Sequence, residues 1–257
     1  MKVTILGCGG ARGIPVLGRG WGHCDPENPK NRRMRSSALV EVDGRVILID
    51  AGHDTRQQLL NAGVTSLDAI LLSHSHSDHI LGLDDLRSLS IGLGDRMFPV
   101  YGSAKTLAET KSCLPWLFVD GGDEYHPPCL EPRPVTPGLH DVVGVPVVFH
   151  AQPHGPNVTS YGFRIGNFAY TPDNSDIPPE NRALLKGLDT WVVSAPVRRA
   201  HPLHSSLSSI LGWEEELKPR QTYLTHMNRH MDYETLCREL PENVRPAYDG
   251  LVLEVKS

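Results

Sequence analysis

Leu71-Leu72-Ser73-His74-Ser75-His76-Ser77-Asp78-His79-Ile80-Leu81-Gly82 sets three histidines and an aspartate within six residues, between an apolar run and a helix-spaced one. The strand predicted over Ala69–Ser73 ends where the histidines begin. Ile80, Leu83 and Leu86 keep the spacing of a helix that starts near Asp78. Ligand-type side chains therefore crowd the turn between two rigid elements. His74 and His76, alternate residues of an extended chain, can converge on one cation, while Asp78 and His79 can point at a second. The plainer alternative is a polar connection in which Asp78 caps the helix. One histidine in a loop is ordinary; three with an aspartate point to metal.

Four side chains cannot saturate two cations, so further ligands must come from elsewhere. His154 follows the predicted strand Val145–His150, Asp173 follows Phe168–Thr171, and His226 follows Thr222–Thr225. All three are ligand types just past a buried strand, where loops gather at one edge of a sheet. Singly, each reads as a capping aspartate or a hydrogen-bonded histidine. Together they supply the missing number and types.

On these residues the chain resembles the metallo-β-lactamase superfamily. His74-Ser75-His76-Ser77-Asp78-His79 matches its HxHxDH signature, Ile49-Asp50-Ala51-Gly52 resembles the Asp-Gly-type motif before it, and the later residues fall in order. The resemblance implies an α/β (α+β) fold, an αββα sandwich with a dinuclear site at the edge of two sheets. It implies one metal on His74, His76 and His154, another on Asp78, His79 and His226, and Asp173 bridging them. Asp50 is then an acceptor that orients a ligand histidine; its alternative is a solvated strand end.

A narrower resemblance runs over almost the whole chain. Leu6-Gly7-Cys8-Gly9-Gly10, Gly13-Ile14-Pro15, Pro29-Lys30-Asn31-Arg32-Arg33, Gly82-Leu83-Asp84-Asp85-Leu86-Arg87 and Ala247-Tyr248-Asp249-Gly250 resemble the bacterial cyclic phosphodiesterases of the carbon–phosphorus lyase pathway. Gly7–Gly10 alone suggests a dinucleotide loop, but the full GxGxxG pattern and its acidic partner are absent. The resemblance places a substrate-facing histidine that binds no metal at His204, abutting the predicted helix Ser206–Leu217. His201 is the competing substrate-binding candidate, and either reads otherwise as a surface histidine. That enzyme group also holds a structural zinc through an N-terminal cysteine cluster and a histidine three residues past the His226 position. Here only Cys24 beside His23 remains, position 229 is Arg, and His230 stands one residue too far. The expectation is that this zinc is missing. Asn31-Arg32-Arg33-Met34-Arg35 reads either as a solvated basic loop or as an attractor for an anionic substrate.

Histidines and carboxylates suit Zn²⁺, Mn²⁺, Fe²⁺ or Co²⁺, with zinc or manganese expected, although donor type does not choose among them. The expected function is a dinuclear metal-dependent phosphodiesterase opening a small, cyclic ribose- or nucleotide-phosphate diester. A hydroxide shared by two ions would attack phosphorus, with His204 and Asp78 as candidate catalytic residues. His204 would protonate the leaving alkoxide or hold a non-bridging oxygen, help worth ~10²–10⁴ in rate. Two rivals stay open: a thioester or lactone hydrolase using the same metals, and a nucleotide-binding protein with little turnover. Processing of tRNA 3′ ends shares HxHxDH but lacks support from a Lys/Arg-rich arm.

The rest of the chain bounds these readings. Its 257 residues are 39% hydrophobic and 21% charged, which excludes disorder and allows a sizeable core. No run approaches the ~20 apolar residues that cross a bilayer, so no membrane partner is expected. A formal charge of −5 speaks against a large nucleic-acid partner. Five scattered cysteines without a CxxC pair suggest reduced thiols, and Met1–Leu6 reads as a strand, not a signal peptide. The expectation is a cytoplasmic protein; a homodimer follows from the resemblance alone. No repeat divides the chain, so residues 1–257 read as one domain.

Two hairpins are expected, Ser37–Val42 with Arg45–Asp50 around Asp43-Gly44, and Tyr161–Ile165 with Phe168–Thr171 around Gly166-Asn167. Strands at Thr190–Ser194 and Leu251–Val255 and helices near Leu59-Leu60 and over Tyr233–Leu240 complete the pattern of sheets covered by helices. The Pro-, Gly- and Asp-rich stretch 115–146 reads as a surface excursion or lid.

Overall fold

The computed structural model describes residues 1–119, 127–199 and 201–256. Its first half runs β1 (Lys2–Gly7), β2 (Ser37–Val42), β3 (Arg45–Ile49), α1 (Thr55–Asn61), β4 (Ala69–Leu71), α2 (Ser77–Ile80), α3 (Leu86–Gly92), β5 (Phe98–Gly102), α4 (Ala104–Cys113) and β6 (Leu130–Pro134). The second half runs β7 (Gly138–Val142), β8 (Val145–Pro153), β9 (Thr159–Ile165), β10 (Phe168–Thr171), α5 (Pro179–Leu184), β11 (Thr190–Ser194), α6 (Leu207–Leu217), β12 (Gln221–Thr225), α7 (Tyr233–Glu239), β13 (Val244–Pro246) and β14 (Leu251–Glu254). The strands form two seven-stranded sheets, ordered β14-β1-β2-β3-β4-β5-β6 and β13-β12-β11-β10-β9-β8-β7. Each is mixed, with antiparallel pairing in one half and parallel pairing in the other. No helix among the described residues is long and apolar enough to cross a membrane.

Strand alternation sorts the side chains into two cores. Ala38, Val40, Ile47, Ile49, Ala69 and Leu71 join Phe149, Phe163 and Tyr170 of the second sheet in one apolar cluster. The intervening Leu39, Leu48 and Ile70 meet Leu59, Ile80, Leu83, Leu86 and Leu107 from the helical layer in another. Strands buried on both faces need apolar residues at consecutive positions, which is why Val46-Ile47-Leu48-Ile49 of β3 is an unbroken apolar run. Each such side chain contributes about 1.5–3 kcal/mol relative to an exposed position.

The first hairpin has the expected turn, with positive φ at both Asp43 (50°) and Gly44 (74°). The second differs: Gly166 alone of its two turn residues has a positive φ, at 54°. The helix expected from Ile80, Leu83 and Leu86 forms as α2, a 3₁₀ turn over Leu83–Asp85, and α3. All three side chains are buried, but the helix breaks at Gly82. There the backbone runs against β3's exit: Gly82 N donates to Ala51 O at 2.9 Å, and a Cβ on Gly82 would lie 1.8 Å from Gly52 O. This close approach anchors the histidine-rich turn.

The stretch 115–146, expected to be a surface excursion or lid, carries sheet structure where it is described. After a 3₁₀ turn over Pro115–Leu117 it carries β6 and β7, the edge strands of the two sheets, so it passes the chain from one sheet to the other. Residues 120–126 of the stretch lie outside the described residues. Edge strands tolerate proline, and the half-exposed Leu130–Pro134 therefore lacked an apolar strand signature.

Asp249, just before β14, fastens the N-terminal loops: Oδ1 accepts from Cys8 N at 3.0 Å and Oδ2 from Met34 N at 2.7 Å. Burial nevertheless pushes its carboxyl up to about 6, from 3.8 for an ordinary aspartate. Between these values the folded chain binds more protons than the unfolded chain, so this group makes stability fall as pH rises from about 4 through about 6. Asp249→Asn is expected to flatten that slope in urea unfolding at about pH 4.5 and about pH 7. A slope like that of the parent protein would mean that Asp249 titrates normally.

Candidate metal centre

The ligand-type residues meet where strands of both sheets end. β4 runs into Ser73–Ser77, β8 ends before His154, β10 before Asp173 and β12 before His226. The turn stays extended through His76 (φ −64°, ψ 148°), which precedes α2, so Asp78 lies in the first helical turn and does not cap it. His226 adopts φ 56°, and its neighbours hold it there: Met227 N donates to Cys8 O at 2.9 Å and Gly10 N to Met227 O at 3.1 Å. The Gly7–Gly10 stretch thus serves to grip the His226 loop.

Two groups of side chains converge. His74, His76, His154 and Asp173 offer donor atoms within 4.8 Å of one another, and so do Asp78, His79 and His226. Asp173 lies between them, its Oδ2 at 3.6 Å from His154 Nε2 and 3.8 Å from His79 Nε2, and its Oδ1 at 3.3 Å from His226 Nδ1. Asp78 Oδ2 lies 3.3 Å from both His79 Nε2 and His226 Nε2. All except His76 are buried.

The proton positions suit cations. Asp50 Oδ2 lies 2.7 Å from His79 Nδ1, and a carboxylate only accepts, so Nδ1 carries a proton. Against the effect of burial, Asp50 and Asp78 favour the protonated ring; in the neutral ring, the form that binds a cation, Nε2 keeps the lone pair. Ser73 Oγ spends its one hydrogen on Asp50 Oδ2 at 2.8 Å, so at 2.9 Å it accepts from His74 Nδ1. Asp50 therefore orients His79 directly and His74 through a hydroxyl. Leu203 O, 2.7 Å from His154 Nδ1, does the same for the third ring. His74 Nε2, His79 Nε2 and His226 Nδ1 are buried without a hydrogen-bond partner. Such orphaned acceptors are costly in a dry site, and a divalent cation would satisfy them.

Electrostatics agree. Burial would raise the Asp78 carboxyl, but His79 and His226 hold it far below the usual carboxylate range. Burial likewise opposes ionisation of Asp173, and His226, His79 and His74 overcome it. His74 is pushed down by burial and by His79. The cluster is built of ionised carboxylates among aligned imidazoles, a hard-to-borderline donor set.

His204 and His201 part company. The His204 ring lies 4.9 Å from His154 and 5.7 Å from His226, half-buried, and burial lowers its pKa to about 4. His201 is exposed, its Nδ1 accepting from Leu203 N at 3.2 Å. Both line a cavity of about 310 Å³ beside the cluster, with Arg12, Arg19, Arg229 and His226. Residues 31–35 do not line it, and they are no solvated loop: Arg33 is buried, Arg35 pairs with Asp54 at 2.9 Å, and Arg32 packs over Trp21. A larger groove of about 490 Å³, between α1 and the first sheet, contains none of the clustered histidines. His23 and His230 stack edge-on at 4.5 Å, and Arg229 Nη1 donates to Arg19 O at 2.6 Å.

Several residues of the site carry no signal in the chain. Ser194 Oγ donates to Asp173 Oδ1 at 3.2 Å, and Gln152 Nε2 donates to Pro172 O at 3.1 Å. Ser73 and the Leu203 carbonyl act on ligand rings. Only Ser73, adjacent to the signature, was open to suspicion.

The Beta-lactamase superfamily domain profile matches residues 45–227, a span holding every clustered ligand. The chain belongs to the metallo-β-lactamase superfamily. As a member, it has the metallo-β-lactamase fold, with candidate ligands for divalent metal. It is 34% identical to a structure described as a new diphosphatase from the PhnP family, with a TM-score of 0.90 over 99% of this chain and 98% of that one. A Zn²⁺-bound PqqB from Methylobacterium extorquens, at 19% identity, shares the fold with a TM-score of 0.76 over 99% of this chain and 100% of that one. Among curated proteins, an octanoyltransferase from Porphyromonas gingivalis is 31% identical over 98% of this chain and 51% of its own length. A ribonuclease Z from Bradyrhizobium sp. is 33% identical over 66% of this chain and 54% of its own. The superfamily chain thus spans about half the length of these curated relatives.

Proposed function

We propose that the chain is a dinuclear phosphodiesterase acting on a small, cyclic ribose- or nucleotide-phosphate diester. The observation that carries this reading is the pair of ligand clusters meeting at Asp173, opening on a cavity whose walls hold Arg12, Arg19, Arg229 and His204. Arginine and histidine walls suit an anion of modest size. The similarity to a diphosphatase and to ribonuclease Z supports chemistry at phosphorus.

His74, His76, His154 and Asp173 would hold one divalent ion, and Asp78, His79, His226 and Asp173 the other, with zinc or manganese as the cations. Bound there, the ions would supply Lewis acidity, easing deprotonation of water and neutralising charge at the phosphoryl group. His204 faces the same space and, neutral near pH 7 because burial lowers its pKa to about 4, would donate its N–H to a non-bridging oxygen; protonating the leaving alkoxide would need substrate charge to raise that pKa. Asp50, Ser73 and Leu203 O keep the ligand rings in one tautomer throughout. Small-molecule turnover in the cytoplasm, by a monomer or a homodimer, completes the proposal.

A phosphorus NMR time course tests it, with Zn²⁺- or Mn²⁺-loaded protein facing a cyclic ribose phosphate, a 2′,3′-cyclic nucleotide and a linear diester together. Selective opening of a cyclic ester is the expected result; no conversion by fully loaded protein would defeat the proposal. A second reading, hydrolysis of an acyl thioester, is favoured by the match of 98% of this chain to half of an octanoyltransferase. Release of free thiol from an octanoyl thioester, with the phosphodiesters untouched, would select it.

A further inference from the structure

His204 sits outside regular structure, between two residues that the ligand-bearing loops hold. On one side, Leu203 O accepts from His154 Nδ1 at 2.7 Å. On the other, Ser205 is bonded to Asn174, the residue after Asp173. Ser205 N donates to Asn174 O at 2.7 Å, and Ser205 Oγ donates to Asn174 Oδ1 at 2.5 Å. The amide orientation is unambiguous, because Pro172 O, 2.8 Å away, can only accept and so fixes Nδ2. Asn174 and Ser205 are 1% and 2% exposed, so neither bond is shared with solvent in the folded chain.

We infer that Asn174 is the positioning residue of His204, tying it through Ser205 to the loop that carries Asp173. The inference rests on the phosphodiesterase reading for what His204 does, but not for where it is held. Beyond the His154 bond to Leu203 O, the four residues 201–204 are held by long contacts: His204 N reaches His201 O at 3.4 Å, Leu203 N reaches His201 Nδ1 at 3.2 Å, and both His201 and Leu203 are exposed. The next backbone anchor comes at Leu207 N, which donates to Val197 O at 3.0 Å. Loss of the side-chain bond, with the backbone bond from Ser205 N to Asn174 O retained, would let the His204 ring shift while leaving the cluster ligands in place. A displacement of about 1 Å in a reacting group costs ~10²-fold in rate.

The test compares metal-loaded Asn174→Ala, Ser205→Ala, His204→Ala and the two double variants with the parent chain. Asn174→Ala and Ser205→Ala are expected to keep the parent's metal content, to lower kcat by about 10- to 100-fold, and to change KM less. In the His204→Ala background neither should lower kcat further, since each acts through that ring. Calorimetric binding of inorganic phosphate to the same loaded proteins gives a reading without turnover: each single variant weakens it, and the doubles are no weaker than His204→Ala alone. Additive losses in either measurement, or metal lost from Asn174→Ala, overturn the positioning role. If the loaded parent opens no phosphodiester, the functional reading falls by itself, and the phosphate cycle alone upholds or overturns the role of Asn174.

Discussion

Asp173→Asn is expected to strip the chain of metal and abolish turnover. The carboxylate is 2% exposed and lies within 4 Å of donor atoms from both ligand clusters: His154 Nε2, His79 Nε2 and His226 Nδ1. Asparagine keeps its shape and the bond from Ser194 Oγ, but it removes the charge and turns one oxygen into a donor. A donor cannot ligate a cation, and neutral ligands attract one less. Loss of a partner that merely orients a ligand costs about 10–100-fold in metal affinity, so loss of a shared ligand is expected to exceed about 100-fold. Elemental analysis after dialysis, beside thermal unfolding of the apo forms to establish that the variant folds, reads this directly. An Asp173→Asn protein as rich in metal as its parent would dismantle the dinuclear proposal.

His204→Ala is expected to do the opposite, keeping metal while losing rate by ~10²–10⁴. The ring lies at the cavity and not within either of the two main clusters, and its Nδ1 is buried without a partner. The geometry leaves a second role to be tested, because His204 also falls within 4.8 Å of donor atoms of Asp173 and His226. Metal content separates the two: a fall on His204→Ala makes it a ligand, whereas full loading with a depressed kcat makes it a group for substrate. Full loading with unchanged kinetics toward phosphodiesters would remove it from the mechanism.

The candidate ligands were legible because metal chemistry demands particular side chains at short spacing. His74, His76, Asp78 and His79 are neighbours in sequence, and a strand-to-helix turn brings such neighbours together in almost any fold. His154, Asp173 and His226 were legible more weakly, as polar residues ending apolar strands. Asp50 was proposed as an orienting group, and it sits 2.7 Å from His79 Nδ1. The hairpin at Asp43-Gly44 was readable because its turn needs two residues with positive φ.

Other features had no local cause to reveal them. β6 and β7 form at sheet edges, where pairing with a neighbouring strand, and not apolar composition, makes the strand. Arg33 reads as a surface charge in sequence, yet it is buried beside Asn31 because the N-terminal loops fold over it. The different surroundings of His201 and His204 are equally non-local, set by bonds from His154 to Leu203 and from Ser205 to Asn174.

The sequence by itself determined the ligand types, their order along the chain and the alternation that makes two sheets with helices outside. These depend on side-chain chemistry and on periodicity, which are properties of neighbouring residues. Only the tertiary structure decided that Asp173 lies between the two clusters, which ring nitrogens of His74, His79 and His154 are engaged by neighbours, and that of the two cavity histidines His204 is half-buried and His201 exposed. Those outcomes depend on hydrogen bonds that join residues tens of positions apart, such as Asp50 to His79 and His154 to Leu203. Such bonds exist only once packing has brought the strand ends to a common edge.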